Sequence, residues 1–224
     1  MKRRMILPFL FGLAGLAVLM SLGIWQVQRL VWKQAVIAEI SARIGAGPVA
    51  LPATPDREAD RYLPVRAEGV LTGQDLVVLA SLKQIGPLYR LISVLDTGGR
   101  RVLVDRGYVR VADRPKVAAV GPYAVTGNLH WPQEVDGFTP QPDRAQAMWF
   151  ARDVDAMAAE LGTEPLLIVA RQSTDPDPGV TPLPVSPSGI PNDHLQYAIT
   201  WFSLALVWLG MTAYLLWRIR QRTV

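Results

Sequence analysis

The chain has no cysteine. Disulfides, thiolate catalysis and cysteine-based zinc or copper sites are excluded together. Histidine is nearly absent too, with only His130 and His194 in 224 residues. No nucleophile elbow, phosphate-binding glycine loop or metalloprotease helix motif occurs. Acidic residues are missing from both ends, and two long stretches, 5–25 and 195–217, carry no charged side chain. What remains is half hydrophobic, with the apolar residues concentrated where charge is missing.

Each uncharged stretch exceeds the ~20 residues that a helix of ~1.5 Å rise needs to cross a ~30 Å membrane core. Lys2, Arg3 and Arg4 precede the first, and Arg218, Arg220 and Arg222 follow the second. Of 23 basic residues these six leave 17 between the spans, against all 19 acidic ones. The basic balance therefore belongs to the tails and does not indicate a nucleic-acid-binding surface. Basic flanks mark the cytoplasmic side, so both termini are expected in the cytoplasm and the middle outside it. The first stretch is longer than the 7–15 apolar residues of a signal peptide, with no small-x-small site directly after Gly23. An uncleaved anchor is expected. The start lacks a Ser/Arg-rich amphipathic leader, which points to a bacterial inner membrane.

The expected organisation is a membrane helix over 1–25, a juxtamembrane helix over 26–48 and a β-rich periplasmic domain over 49–172. A Pro-rich linker follows over 173–191, then a second membrane helix over 192–217 and a basic tail over 218–224. Leu30, Ile37, Ile40 and Ile44 continue the helical period beyond the first span, and Gly45 to Pro48 ends it. Strands are expected over 63–71, 75–82, 88–95, 101–111, 123–130, 148–151 and 165–172, with Gly73, Gly86, Gly98 and Gly99 as turns. Asp153 caps and Gly162 stops a short helix. The fold class is an integral membrane protein whose two transmembrane helices flank a small antiparallel barrel or sandwich. Six prolines from Pro176 to Pro191 make the linker stiff and extended.

Candidate site residues gather at the second span. At ~100° per residue, His194, Tyr197, Trp201 and Trp208 fall on one stripe. A potential metal ligand above aromatic rings suits a flat cofactor; packing and interfacial anchoring suit the same pattern. Gln196, Ser203 and Gly210 form a second, small or polar stripe, and Gly12, Gly15 and Gly23 line the first span. Small stripes allow close approach, so the spans are expected to pack together. Trp25 and Trp32 stand where an interfacial aromatic belt belongs. His130 reads as a structural or surface residue. Asp105-Arg106-Gly107-Tyr108 reads as an exposed strand with a glycine bulge.

Five segments together resemble the surfeit-locus family of oxidase assembly factors. They are 22–33 (LGIWQVQRLVWK), 105–109 (DRGYV), 137–140 (GFTP), 148–150 (MWF) and 192–202 (NDHLQYAITWF). They follow the family's order and spacing over nearly the whole chain. Asp193 stands where the family usually has a second Asn, and Tyr108 where it often has Trp. The resemblance implies a non-enzymatic assembly factor for haem-copper cytochrome c oxidase, with haem a as a transient cofactor. Its implied partners are the oxidase catalytic subunit and haem a synthase, with membrane lipid around the helices and no nucleic acid. By the same resemblance His194 is the candidate iron ligand, beside Tyr197, Trp201 and Trp208 as a wall. Trp25, Gln26, Arg106, Gly107, Asn192 and Gln196 are the remaining motif residues. A scaffold that never binds haem, or a membrane-anchored periplasmic enzyme, are the alternatives.

The charge pattern makes a topological prediction. Export-dependent reporters fused near Gly121 are active, and reporters fused after Val224 are active only in the cytoplasm; a cytoplasmic signal at Gly121 refutes it.

Overall fold

A computed structural model describes residues 3–83, 85–113, 119–175 and 179–221. Lys2, Pro176, Pro178 and Arg222 lie outside the described residues. The chain forms two compact units, residues 1–39 with 187–224, and 40–186.

The first unit is a pair of helices. α1 (Arg3–Ile44) runs unbroken through both the expected anchor and the expected juxtamembrane helix. α3 (His194–Gln221) is the second. Each contains a window long and apolar enough to cross a membrane, with mean hydropathy 2.3 and 1.7, and only 6% of each window is buried. Core helices of soluble proteins hide such windows; here the apolar faces stay exposed, which suggests membrane association.

The two helices are antiparallel, because successive contacts climb one and descend the other. A Cβ on Gly12 would overlap Thr212, one on Gly15 the ring of Trp208, and one on Gly23 the ring of Phe202. The glycine stripe of α1 is thus a groove that α3 fills. The stripe of α3 that fills it differs from the small one expected. Ala198 and Ala205 are buried, whereas Gln196, Ser203 and Gly210 are exposed. The bulky rings follow the same face as the alanines, because a groove of glycines accepts large side chains better than small ones.

The second unit is a barrel. β1 (Val49–Ala50) adds in parallel to β2 (Pro64–Leu82). β2 pairs along its second half with β3 (Gly86–Asp96) and along its first half with β5 (Val120–His130). β3 pairs with β4 (Arg101–Arg110), β4 with β7 (Leu167–Ser173), and β7 with β5. The order β2-β3-β4-β7-β5 returns to β2, so five strands close on themselves and leave no long edge. Two expectations are corrected here. The expected strands 63–71 and 75–82 are one strand, bent at a bulge between Leu71 and Asp75 so that it serves two neighbours. The sheet is not purely antiparallel: β4 and β7 run parallel, as do β1 and β6 (Met148–Trp149) with β2. Parallel pairing needs a long crossover, and residues 111–166, β5 among them, supply it between β4 and β7. They carry α2 (Val154–Leu161), where Asp153 accepts from the Ala156 amide and Gly162 closes the end in the left-handed conformation.

The core is the barrel interior, with Val65, Leu71, Ile92, Val94, Val104, Val125 and Leu129 capped by Trp149 and by Met157 of α2. A smaller apolar cluster, Val77, Leu91, Val109 and Val180, lies apart from it. Val180 belongs to the expected linker, which is therefore bound to the barrel. Thr181 bridges Tyr108 through two backbone bonds of 2.8 and 3.0 Å.

Gly107 makes that strap possible. Its φ is +127°, and a Cβ there would overlap the carbonyl of Thr181. Gly107→Ala imposes both a strained backbone and a clash. It is expected to cost the barrel roughly 2–3 kcal/mol, read as a lowered midpoint in denaturant melts followed by near-UV circular dichroism.

Candidate functional site: a histidine–glutamine pair between two apolar helices

Buried polar side chains in an apolar helix pair must find partners within it. Two of them find each other. Gln26 of α1 is 8% exposed, and its Oε1 lies 2.8 Å from Nδ1 of His194 on the first turn of α3. The helix begins there because the Asp193 carbonyl accepts the first helical bond, from Tyr197. With a carbonyl oxygen as its partner, Nδ1 carries the proton and donates it. Nε2 then holds the lone pair, as in a ligating histidine oriented by an acceptor on its other nitrogen. Two motifs 168 residues apart in sequence thus meet through one hydrogen bond.

The aromatic stripe divides. Trp201 is half-buried and Tyr197 is 56% exposed. Trp208 is committed to packing: its Nε1 donates to the Gly12 carbonyl at 2.8 Å, and its ring meets Phe11 with centroids 5.5 Å apart. Fourteen residues at ~1.5 Å rise put it ~21 Å along the axis from His194. Trp25 is 49% exposed next to Gln26, and the Arg29 guanidinium lies 4.8 Å from the ring of Trp32 and 5.9 Å from that of Trp25. Asn192 is partly buried, and its Oδ1 has no hydrogen-bond partner among the described residues. Gln196 is exposed on another face of α3.

The remaining motif pair, Arg106 and Gly107, belongs to the barrel. The glycine bulge is present, between Leu91 and Ile92 of the partner strand, but the expected exposure is not: Asp105 and Arg106 are both buried. Asp105 accepts from Arg90 Nε at 2.8 Å and from Arg152 at 3.2 Å. Arg106 Nε donates to Asp175 at 2.7 Å. Arg152 also holds Glu134, with Nε 3.1 Å from each carboxylate oxygen. Burial works against the charge on Glu134, but the hydrogen bond and charge of Arg152 outweigh it and leave its pKa lowered. Arg90, Glu134, Arg152 and Asp175 escaped sequence reasoning, because their contacts span 15 to 69 residues and follow no local period.

His130 is structural as expected, stacked on Tyr62 with centroids 5.4 Å apart. Burial, with Arg152 and Arg61 adding to it, lowers its pKa to about 4.

One unit is an apolar helix pair with one oriented imidazole, which suggests membrane association; the other is a closed barrel whose buried charges are paired. The comparisons name the group. The SURF1 family model matches residues 13–206. Surfeit locus protein 1 of Homo sapiens is 31% identical over 216 residues, covering 83% of this chain and 69% of that protein. Its counterpart in Rattus norvegicus is 29% identical over 88% of this chain and 71% of its own. A SURF1-like protein of Monosiga brevicollis is 31% identical, covering 87% and 82%. The chain belongs to the SURF1 family, whose members are cytochrome oxidase assembly factors and not enzymes.

The lowered pKa of His130 predicts acid sensitivity in the barrel. Between its ordinary value near 6.5 and about 4, the unfolded chain takes up a proton that the folded one refuses. Stability is complete above pH ~6.5 and falls as the pH drops, by up to about 3 kcal/mol in all. Glu134 acts in the same direction at lower pH, since a depressed carboxylate loses its contribution on protonation. Melts from pH 7 to 4 are expected to show this decline, and His130→Gln to flatten its upper part.

Proposed function

We propose that this chain binds haem a between its two helices, with His194 as the iron ligand, and passes it to the catalytic subunit of a haem-copper oxidase. The observation that carries the reading is the Gln26–His194 hydrogen bond. An unpaired histidine at the start of an apolar helix would be an interfacial residue like many others. One held by a buried glutamine is orientated, and the orientation costs a polar group in an apolar setting.

The fit to haem can be judged from the chain's own atoms. Gln26 accepts from Nδ1, which leaves Nε2 for an iron, and the half-exposed rings of Tyr197 and Trp201 offer an apolar, accessible wall. Haem, when bound, would supply an open coordination position for one imidazole. Gln26 would hold that imidazole in one tautomer and one rotation. Trp208, fixed by Gly12 and Gly15, would set the helix register on which the alignment of Gln26 with His194 depends. One imidazole and the exposed rings would hold haem loosely, as suits a protein that hands it on.

In this reading both helices span a bacterial inner membrane. The basic tails lie in the cytoplasm and the barrel in the periplasm, and haem a synthase is the donor. The composition of the tails supports that orientation.

Purification after co-expression with haem a synthase tests the site. The wild-type chain is expected to carry a haem a absorption spectrum, His194→Ala to lose it while still inserting, and Gln26→Leu to weaken it by about tenfold, the scale of an outer-shell partner. Deletion of the gene is expected to lower oxidase activity. A full spectrum in His194→Ala overturns ligation by His194 and leaves a scaffold that holds an oxidase intermediate.

A further inference from the structure

The segment between β5 and β7 carries the most exposed large apolar side chain among the described residues of the barrel unit. Phe138 is 96% exposed, and Val135 beside it is 55% exposed. The backbone that carries this ring is held. The Asp136 carboxylate accepts from the Phe138 amide at 2.9 Å and from the Thr139 hydroxyl at 3.0 Å. That hydroxyl in turn accepts from the Asp136 amide at 2.9 Å. The two hydrogen bonds hold the Asp136 carboxyl below its usual range. Pro132, Pro140 and Pro142 stiffen the approaches. At the base, Glu134 is tied by Arg152 to buried Asp105. The turn is therefore built before any partner arrives, and an aromatic ring is what it presents.

We infer that this turn is a docking element, with Phe138 as the anchor for an apolar pocket on a protein partner whose rim is basic. An aromatic ring on a preorganised turn loses little backbone freedom on binding and makes an efficient anchor. The charge around it selects the partner. Residues 131–143 contain Glu134, Asp136 and Asp143 and no basic residue. Arg144, the next cation, already pairs with Glu160 at 3.1 Å. A lipid-inserting turn needs the opposite pattern, since membrane surfaces are negative and their anchors carry Lys or Arg. An acidic turn is repelled there and attracted to a basic protein rim.

The identity of the partner rests on the assembly reading, which makes it the oxidase catalytic subunit. The test uses the full chain in cells, with the photoreactive p-benzoylphenylalanine at position 138 and, as control, at exposed Val120. Position 138 is expected to give an adduct recognised by antibody to the catalytic subunit, and Val120 none. Asp136→Asn keeps the acceptor oxygen of the turn but removes its charge, and is expected to lower the yield about threefold, as a rim charge would. Phe138→Ser is expected to reproduce the oxidase loss of the deletion strain without lowering the melting midpoint of the barrel. Adducts with phospholipid alone, or none above the control, overturn the inference. So does full oxidase activity in Phe138→Ser when the deletion strain is deficient, and that result leaves the assembly reading standing. Full activity in the deletion strain itself overturns the assembly reading, and this inference with it.

Discussion

Burying an aspartate and an arginine side by side in one strand costs several kcal/mol per ion before any contact returns it. Asp105 and Arg106 are that pair, and much of the barrel's irregularity answers to them. Neighbours on a regular strand face opposite ways, so each needs its own set of partners. Asp105 takes Arg90 from β3 and Arg152 from the crossover; Arg106 takes Asp175 just beyond β7. The bulge places Arg106 out of register, and Gly107 lets the 179–183 strap approach. Arg90 completes the arrangement by donating to the Leu183 carbonyl at 3.3 Å. Three segments far apart in sequence are thereby tied to β4. Removing one partner leaves an uncompensated buried charge, the costly way to break such a network.

The helix pair uses the reverse economy. Polar side chains are few, and dispersion in the Gly12, Gly15 and Gly23 groove supplies contact. In such a setting the Gln26–His194 bond has a consequence beyond its own strength. It pins the register of two otherwise smooth surfaces, because sliding by one turn leaves both polar groups without partners. Trp208 does the same further along, through the Gly12 carbonyl. Two polar pins thus fix what the smooth apolar surfaces leave free.

Much of this was legible in the sequence, and the limits are physical. The apolar spans, the Asp153 cap, the Gly162 stop and the turn at Gly98 are local signals, readable over a few residues, and each stands where expected. The glycine groove was legible because only one residue type makes it. Its complement on α3 was not, since a stripe of alanines and large rings reads equally as lipid-facing. The single bent β2 was read as two strands because the bulge near Gly73 carries the residues of a turn. The closure of β4 on β7 has no local mark, since a parallel pairing across residues 111–166 is decided by the whole barrel. His194 was singled out by its residue type and position; its contact with Gln26 became visible only once the helices were side by side.

Perturbed groups in a folded domain commonly point to catalysis, and this barrel has several, so their causes matter. Glu134 is lowered by Arg152, an arginine that already serves Asp105. His130 is lowered by burial and by cations that exclude a further positive charge, and it stacks on Tyr62. A general base must offer its lone pair to a substrate proton, and a general acid must give one up near neutrality. Glu134 spends its charge on Arg152. His130 titrates well below neutrality among arginines that would repel the imidazolium formed when it took a proton. Burial and the same charge network account for both perturbations. The barrel's chemistry is therefore turned inward, and what it offers outward is shape and charge. That is what an assembly factor needs from a rigid domain, and it accords with the family's non-catalytic role.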